Sequence, residues 1–358
     1  MQLIGGETMS NKKVLLGMSG GVDSSVAAIL LKEQGYEVFG TTLELCKNSS
    51  CCNLETYIEA KKVCQKLGME HFILQASKEF QQYVIDDFID NYKTCRTPNP
   101  CIECNKYLKF GLMYEKAKEM GCEYISTGHY AKTEYSEKYG RWVLKKSNNL
   151  KKDQTYVLYT IPKELIKHMV FPLGDFEDKE QVREVARKYE FSVASRPDSE
   201  DICFVPDGNY KDYLEKNAGF KSKEGNIVNK DGKVLGKHTG LYKYTIGQRK
   251  GLGISYFEPL FVIGYNVIKN ELIVGTENEL YTKEFTVKDI NLLLFDEIKE
   301  PLECEVKIRY SAKPEKCTII QDGEVLKVTM KEKIKSVTPG QSAVFYIDDI
   351  VVGGGKIV

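Results

Sequence analysis

The sequence predicts an α/β protein: a parallel sheet with helices on both faces, then a small mixed domain, then a C-terminal antiparallel β-barrel. Three observations carry this. Short apolar runs alternate with amphipathic helical segments between residues 13 and 127, the pattern of parallel strands joined by crossover helices. A glycine-rich string, Ser19-Gly20-Gly21, falls between the first strand and the first helix. From about residue 284 the helical period vanishes and six short strand-like runs follow, the spacing of a small barrel.

Taken in order, Lys13 to Gly17 reads as a buried strand, 23 to 34 as a helix and 36 to 43 as a second strand. Residues 54 to 67 read as a helix and Glu70 to Leu74 as a third strand. An amphipathic segment runs from Glu79 to Tyr92, a helix from 106 to 120, and a fourth strand from Glu123 to Thr127. Ligands of such sheets bind beyond the carboxyl ends of the strands. Near residue 205 the pattern shifts to short mixed elements rich in Gly and Lys. The later strands are expected at Phe285 to Phe295, Leu302 to Tyr310, Cys317 to Ile320, Val325 to Met330, Ala343 to Ile347 and Ile350 to Val358. The expected domains are 1–206, 207–278 and 279–358.

At 358 residues the chain exceeds one ordinary core, and roughly 150 residues per domain gives two or three. The 51 basic and 51 acidic residues cancel, with 42% hydrophobic and 28% charged. This excludes a disordered tail and a uniformly basic chromatin-type protein. It leaves RNA binding open through local patches. Only 7 of the basic residues are Arg, so each Arg stands out. The residues before Met9 lack a signal-peptide pattern, and no apolar run reaches the roughly 18 to 20 residues of a membrane span. The expectation is a cytoplasmic protein, a monomer by default, with Met1 and Met9 both open as the start. Its 11 Cys, in a reducing compartment, point to metal, cluster or thiol chemistry for some of them. Cys64, Cys122, Cys304 and Cys317 stand singly in helical or strand-like runs and read as small buried hydrophobes.

Ser19-Gly20-Gly21-Val22-Asp23-Ser24-Ser25 suits a pyrophosphate. Two glycines let backbone N–H groups approach an anion, a helix N-terminus adds positive potential, and three hydroxyls add donors. Asp23 can hold Mg2+, which favours carboxylate with phosphate oxygens. No Lys follows, so this is not the Walker-type loop. The string resembles the signature of the PP-loop ATP pyrophosphatases, which adenylate a carbonyl oxygen and release pyrophosphate. That resemblance places ATP on Gly17 through Ser25, with Met18 in the string. It places the base near Thr42 and Leu43, and a further contact at Gly128 in Thr127-Gly128-His129-Tyr130.

Two cysteine motifs remain. Thr97-Pro98-Asn99-Pro100-Cys101-Ile102-Glu103-Cys104-Asn105 lies just before the expected helix, stiffened by its prolines. Cys104, near that helix N-terminus, should have its thiolate favoured. Cys203 lies in Ile202-Cys203-Phe204. Three readings stand side by side: a zinc site completed by Cys95 or His129, a thiol pair that delivers sulfur, and a 4Fe–4S cluster on Cys101, Cys104 and Cys203 with one open iron. Cys46, Cys51 and Cys52 form a further cysteine-rich loop of unassigned role.

From about Val14 onward the chain resembles the bacterial tRNA-specific 2-thiouridylases. The resemblance is carried by Gly17 to Ser25, Thr97-Pro98-Asn99-Pro100, Cys104-Asn105, Thr127-Gly128-His129-Tyr130, Lys152-Asp153-Gln154, Asp198-Ser199, Ile202-Cys203-Phe204, Gly247-Gln248-Arg249-Lys250-Gly251-Leu252-Gly253 and Val337 to Tyr346. It implies ATP-dependent adenylation of a tRNA wobble uridine, then thiolation at C2 with release of AMP and pyrophosphate. It implies Cys104 as nucleophile and Cys203 as persulfide carrier, fed by a desulfurase, a relay protein or hydrosulfide. The family pattern has Asp at position 101, where this chain has Cys101, and that departure favours the cluster. It also implies tRNA contacts at Asn99, Pro100, position 101, His129, Lys152, Asp153, Gln154, Arg309, Tyr310 and Gln341.

Residues 221 to 250 carry eight Lys or Arg against two Asp or Glu, with Tyr242 and Tyr244 interleaved. Such a patch can neutralise phosphates and stack on bases. Arg249, in a glycine-rich turn, is the sharpest candidate. Two rivals are a PP-loop ligase or synthetase acting on a small molecule, and a silent tRNA-binding or zinc-stabilised adaptor.

Overall fold

The computed structural model describes residues 12–46, 54–195, 202–205 and 208–358. Cys51, Cys52, the Asp198-Ser199 pair and both candidate start methionines lie outside the described residues. The chain divides into two compact units. One comprises Met1–Val84, Cys101–Gly208 and Asp348–Val352. The other comprises Ile85–Pro100, Asn209–Ile347 and Gly353–Val358.

The first unit is built on β1 (Lys13–Gly17), β2 (Glu37–Glu44), β3 (His71–Gln75), β4 (Tyr124–Thr127) and the short β7 (Met169–Val170). They pair in parallel in the order β3-β2-β1-β4-β7. Val14, Leu15 and Leu16 are fully buried, as a strand covered on both faces requires. Helix α1 (Val22–Glu33) and helix α2 (Leu54–Lys66) make the first two crossovers. The strand order reverses between β1 and β4, so the loops after these two strands open at a topological switch point. A hairpin of β5 (Lys132–Ser136) and β6 (Arg141–Lys145) follows, and Ile350 pairs with Lys145. The sequence patterning missed this hairpin, because β5 is mostly polar and β6 offers only the three-residue apolar run Trp142 to Leu144.

One expectation is refined here and one corrected. The amphipathic segment read over Glu79 to Tyr92 is helical in three consecutive pieces, Ser77–Phe80, the wider-turned Gln81–Ile85 and Asp86–Lys93. The helix expected from residue 106 begins at Pro100. It runs through a wide-turned stretch, Cys104–Leu112, into Met113–Glu119. Proline is well tolerated at a first helical position, where its missing N–H has no partner to lose.

The second unit holds a four-stranded sheet of β8 (Gly225–Val228), β9 (Val234–His238), β10 (Phe261–Asn266) and β11 (Glu271–Gly275) in the order β10-β11-β8-β9. Its core is Ile227, Leu241, Leu252, Leu260, Val262, Leu272 and Val274. Six further strands follow: β12 (Tyr281–Leu292), β13 (Leu302–Lys307), β14 (Glu315–Asp322), β15 (Val325–Lys335), β16 (Ser342–Ile347) and β17 (Ile350–Ile357). They run β12-β15-β14-β13-β16-β17, and β12 pairs back onto β17 to close a barrel. Alternate residues such as Leu326, Val328 and Met330 fill it, following the two-residue period of a strand.

Candidate functional site

The loop after β1 turns through Gly20, whose φ of +68° is left-handed. A Cβ there would lie 2.2 Å from the Thr56 carbonyl oxygen, so only glycine fits. Helix α1 begins on Gly21 with no side-chain cap. The hydroxyls of Ser24 and Ser25 both donate to the Gly21 carbonyl, at 3.2 and 2.9 Å. First-turn N–H groups of an uncapped helix are a ready anion site. Gly128, after β4, packs on the same helix start: a Cβ there would meet the Ser24 nitrogen at 2.8 Å. Thr42 donates to the Met18 carbonyl at 2.9 Å, and Met18 and Leu43 are both buried. The candidate nucleotide residues from both loops thus share the carboxyl end of β1 and its neighbours.

Asp23 is tied into a chain of contacts that the sequence did not disclose. Lys179 Nζ donates to both its carboxylate oxygens, at 2.6 and 2.7 Å. The Tyr130 hydroxyl donates to Oδ1 at 2.8 Å. Tyr130 is clamped in turn: its N–H donates to Gln154 Oε1 and its carbonyl accepts from the Gln154 N–H, both at 2.9 Å. Asp153 accepts from the Ser147 N–H and the Thr155 hydroxyl. Gln154 therefore braces the loop that carries Tyr130, and Asp153 braces the 147–155 turn that carries Gln154. The expectation that Asp23 holds Mg2+ meets a rival cation here. Its carboxylate is neutralised by Lys179, so these residues as arranged do not present an open magnesium ligand. Lys179 opens its helix (Lys179–Lys188), where the dipole favours acid over base. That local misfit was the only sign in the sequence of a distant anionic partner.

Cys104 sits in the first turns of the helix that starts at Pro100, and Cys101 is exposed one turn earlier. Phe80 organises their surroundings. The Phe204 ring stands edge-on to Phe80 with centroids 5.7 Å apart. Three residues on, Tyr83 stacks on Tyr107 of the Cys104 helix at 4.3 Å. The neighbour of Cys203 and the helix of Cys104 are thus docked on one short helical stretch. Among the described residues, no three His, Cys, Asp or Glu side chains converge as a metal site. Cys101, Cys104 and Cys203 therefore do not form a ready cluster tripod in this structure.

The zinc reading loses its fourth ligand as well. Cys95 packs against the core of the four-stranded sheet, and burial pushes its thiol up to about 11. His129 is buried, accepts from Lys109 Nζ at 3.5 Å and so donates from Nδ1 to Thr127 Oγ1 at 2.7 Å. Burial, with Lys109 beside it, holds its pKa well below the ordinary imidazole range. Cys64, Cys122, Cys304 and Cys317 are all buried.

In the second unit one turn gathers several candidate tRNA residues. Arg309 donates to the Ser336 carbonyl at 2.7 Å and to Thr338 Oγ1 at 2.8 Å. Gln341 Nε2 donates to the Thr97 carbonyl at 2.8 Å, and the Thr97 N–H donates to the Pro339 carbonyl. Gly247 approaches the same turn, since a Cβ there would meet Ser336 Oγ at 2.7 Å. The turn at 336–341 therefore meets Arg309, Thr97 and Gly247. Tyr310 is exposed beside it, with Lys307 Nζ 5.6 Å from its ring centroid. The aromatic platform expected from Tyr242 and Tyr244 is corrected. Tyr242 is buried and donates to Glu215 at 2.6 Å, while Tyr244 packs on the sheet core. Part of the basic excess is also internal: Lys243 pairs with Glu215 and Lys230 with Glu279.

Three family models match the chain: a tRNA methyl transferase HUP domain over 12–207, a tRNA methyl transferase PRC-barrel domain over 211–276 and an aminomethyltransferase beta-barrel domain over 282–357. The tRNA-specific 2-thiouridylase MnmA of Clostridioides difficile is 48% identical over 97% of this chain and 98% of that protein. The MnmA of Acetivibrio thermocellus is 46% identical over 98% of this chain and 100% of that protein. The chain belongs to the tRNA-specific 2-thiouridylase family. A solved structure, the U34-tRNA thiolase NcsA from Methanococcus maripaludis with its [4Fe-4S] cluster, covers 60% of this chain and 69% of its own at 21% identity and a TM-score of 0.36. That likeness is too distant to speak to the cysteines.

Within this 2-thiouridylase chain the motif residues fall into two groups. The phosphate loop, Gly128, His129, the Lys152-Asp153-Gln154 string and the three motif cysteines belong to the first unit, and Asn99, Pro100, Arg249, Arg309, Tyr310 and Gln341 to the second. The boundary between units falls between Pro100 and Cys101, inside the helix that carries Cys104.

Proposed function

We propose that this 2-thiouridylase adenylates the C2 oxygen of a tRNA wobble uridine and replaces it with sulfur carried as a persulfide on Cys203. The observation that supports the route is the docking of Phe204 and of the Cys104 helix on one short stretch, through Phe80 and Tyr83. ATP is a substrate held at the Gly20–Gly21 turn and the uncapped start of α1, with Lys179 cancelling the Asp23 charge that would otherwise repel the phosphates. The C2 oxygen attacks the α-phosphate, and pyrophosphate leaves. Cys104, as thiolate, attacks the inner sulfur of the Cys203 persulfide. The S–S bond breaks, the terminal sulfur leaves as hydrosulfide carrying the electron pair, and a Cys104–Cys203 disulfide forms. Hydrosulfide adds at C2 and AMP departs with the oxygen. The persulfide is the oxidant that the disulfide requires, so the step balances. A reductant and a fresh sulfur donor, a desulfurase or relay protein, reset the enzyme. Flipping of the target uridine is expected because its C2 edge is buried in a stacked loop.

The matching models are described by methyl transfer, yet the close relatives are thiouridylases. A phosphate-binding loop serves adenylation and has no part in methyl transfer, so thiolation is the better reading. The test is reconstitution with tRNA, ATP and a sulfur donor, with 2-thiouridine read by nucleoside mass spectrometry. Cys104→Ser should form adenylated tRNA and release pyrophosphate while making no 2-thiouridine. Pyrophosphate release at full rate without tRNA would instead mark a small-molecule ligase.

A further inference from the structure

The segment from Gln248 to Val262 is a closed loop. The Gly247 N–H donates to the Val262 carbonyl at 2.8 Å, and the Val262 N–H donates to the Gln248 carbonyl at 3.0 Å. Compact loops whose ends are joined in this way are frequently functional. Leu252 and Leu260 anchor it in the core of the four-stranded sheet. Gln248 braces its start, accepting from the Thr245 N–H and donating to the Lys250 carbonyl. With these residues turned inward, the loop presents Arg249, Lys250, Tyr256 and Phe257 outward. Tyr256 and Phe257 are 40% and 83% exposed. Their ring centroids lie 4.4 Å apart with planes tilted by 34°. Together with Arg249 they line an open groove of about 470 Å³. Single exposed apolar side chains are ordinary. Two adjacent rings held out on a pinned loop, across a groove from an Arg, are not.

We infer that this groove is a tRNA-contact site, in which Tyr256 and Phe257 stack on an unpaired base while Arg249 and Lys250 hold the adjoining phosphates. The inference rests on the chain acting on tRNA, and it assigns a contact beyond the target uridine. RNA fits the groove through charge complementarity. Residues 221 to 260 carry eight Lys or Arg against three Asp or Glu; Lys230 and Lys243 are engaged in ion pairs, whereas Arg249 is exposed and felt at a distance by Glu277. Glu258 also lines the groove, which places the phosphate contacts on the Arg249 and Lys250 side and leaves the ring pair for a base. An aromatic pair beside a cation is the usual platform for single-stranded bases, which every base can use through its π-face.

The test measures tRNA affinity of the full chain across a series of salt concentrations, for wild type, Phe257→Ala, Phe257→Trp and Arg249→Gln. Phe257→Ala should bind roughly tenfold more weakly with an unchanged salt slope, the signature of lost stacking. Phe257→Trp should retain affinity, and its added fluorescence should be quenched by tRNA relative to the wild type, whose one Trp is Trp142. Arg249→Gln should lower the slope of log K against log salt by about 1, the signature of one lost phosphate contact. ATP binding without tRNA should be the same in all four. Wild-type affinity and no quenching in the Phe257 variants would overturn the inference, as would unchanged tRNA affinity with slower sulfur delivery from a donor protein, which would make the loop a protein dock. If the wild type itself neither binds nor thiolates tRNA, the functional reading has failed instead.

Discussion

Lys179 and Asp23, 156 residues apart, meet at 2.6 and 2.7 Å beside the nucleotide loop. The Lys179 side chain is 11% exposed and that of Asp23 31%. The pair sets the local charge where phosphates are expected. Lys179→Met should leave Asp23 without its cation, lowering stability by roughly 1 to 2 kcal/mol and adenylation on the order of 100-fold. Adding Asp23→Asn should recover much of the stability but not the adenylation. Denaturant unfolding and tRNA-dependent pyrophosphate release check the two effects separately.

Gly20→Ala tests the loop. Its left-handed φ costs about 1 to 2 kcal/mol for any residue with a Cβ, and the Thr56 carbonyl bars that atom as well. The variant should lose ATP binding while the rest of the sheet stays folded, read by ATP titration and by thermal unfolding.

Two buried imidazoles and one half-buried one set an acid limit. His71, His129 and His238 all have pKa values lowered first by burial. In the unfolded chain each takes up a proton near 6.5. The folded state refuses it until lower pH, so the unfolded state binds more protons as pH falls below 6.5. Stability is then present above that value and is lost as pH falls toward the folded-state values. His129→Gln should flatten the fall between about pH 7 and 5, measured as unfolding free energy against pH.

Cys304 and Cys317 face each other across β13 and β14, with sulfurs 3.6 Å apart inside the barrel. The contact with Cys317, and then burial, raise the Cys304 thiol far above its ordinary range. Both act as small core residues, so Cys317→Ala should cost about 1 kcal/mol of stability and leave the single-turnover thiolation rate unchanged.

How much was legible in the sequence varies by element. The sheet was, because apolar runs such as Val14 to Leu16 sit between glycines and helical repeats. The phosphate loop was, because Gly20 and Gly21 lie at the strand-to-helix junction. The start of the Cys104 helix was not: Pro98 and Pro100 read as breakers, whereas Pro100 occupies the one helical position that tolerates it. Tyr242 and Tyr244 looked like a stacking surface because a list of residues does not show which side faces Glu215. Lys179 was invisible because its partner is set by the packing of a distant helix. Tyr256 and Phe257 were passed over for want of a periodic pattern; only the closed loop shows that they face outward.

The relation between Cys104 and Cys203 decides the account most directly. The measurement is peptide mass spectrometry under non-reducing conditions after a single turnover, starting from enzyme carrying one persulfide on Cys203. The account predicts one 2-thiouridine formed for each Cys104–Cys203 disulfide, and neither product in Cys104→Ser. Full thiolation with both cysteines still reduced would contradict it.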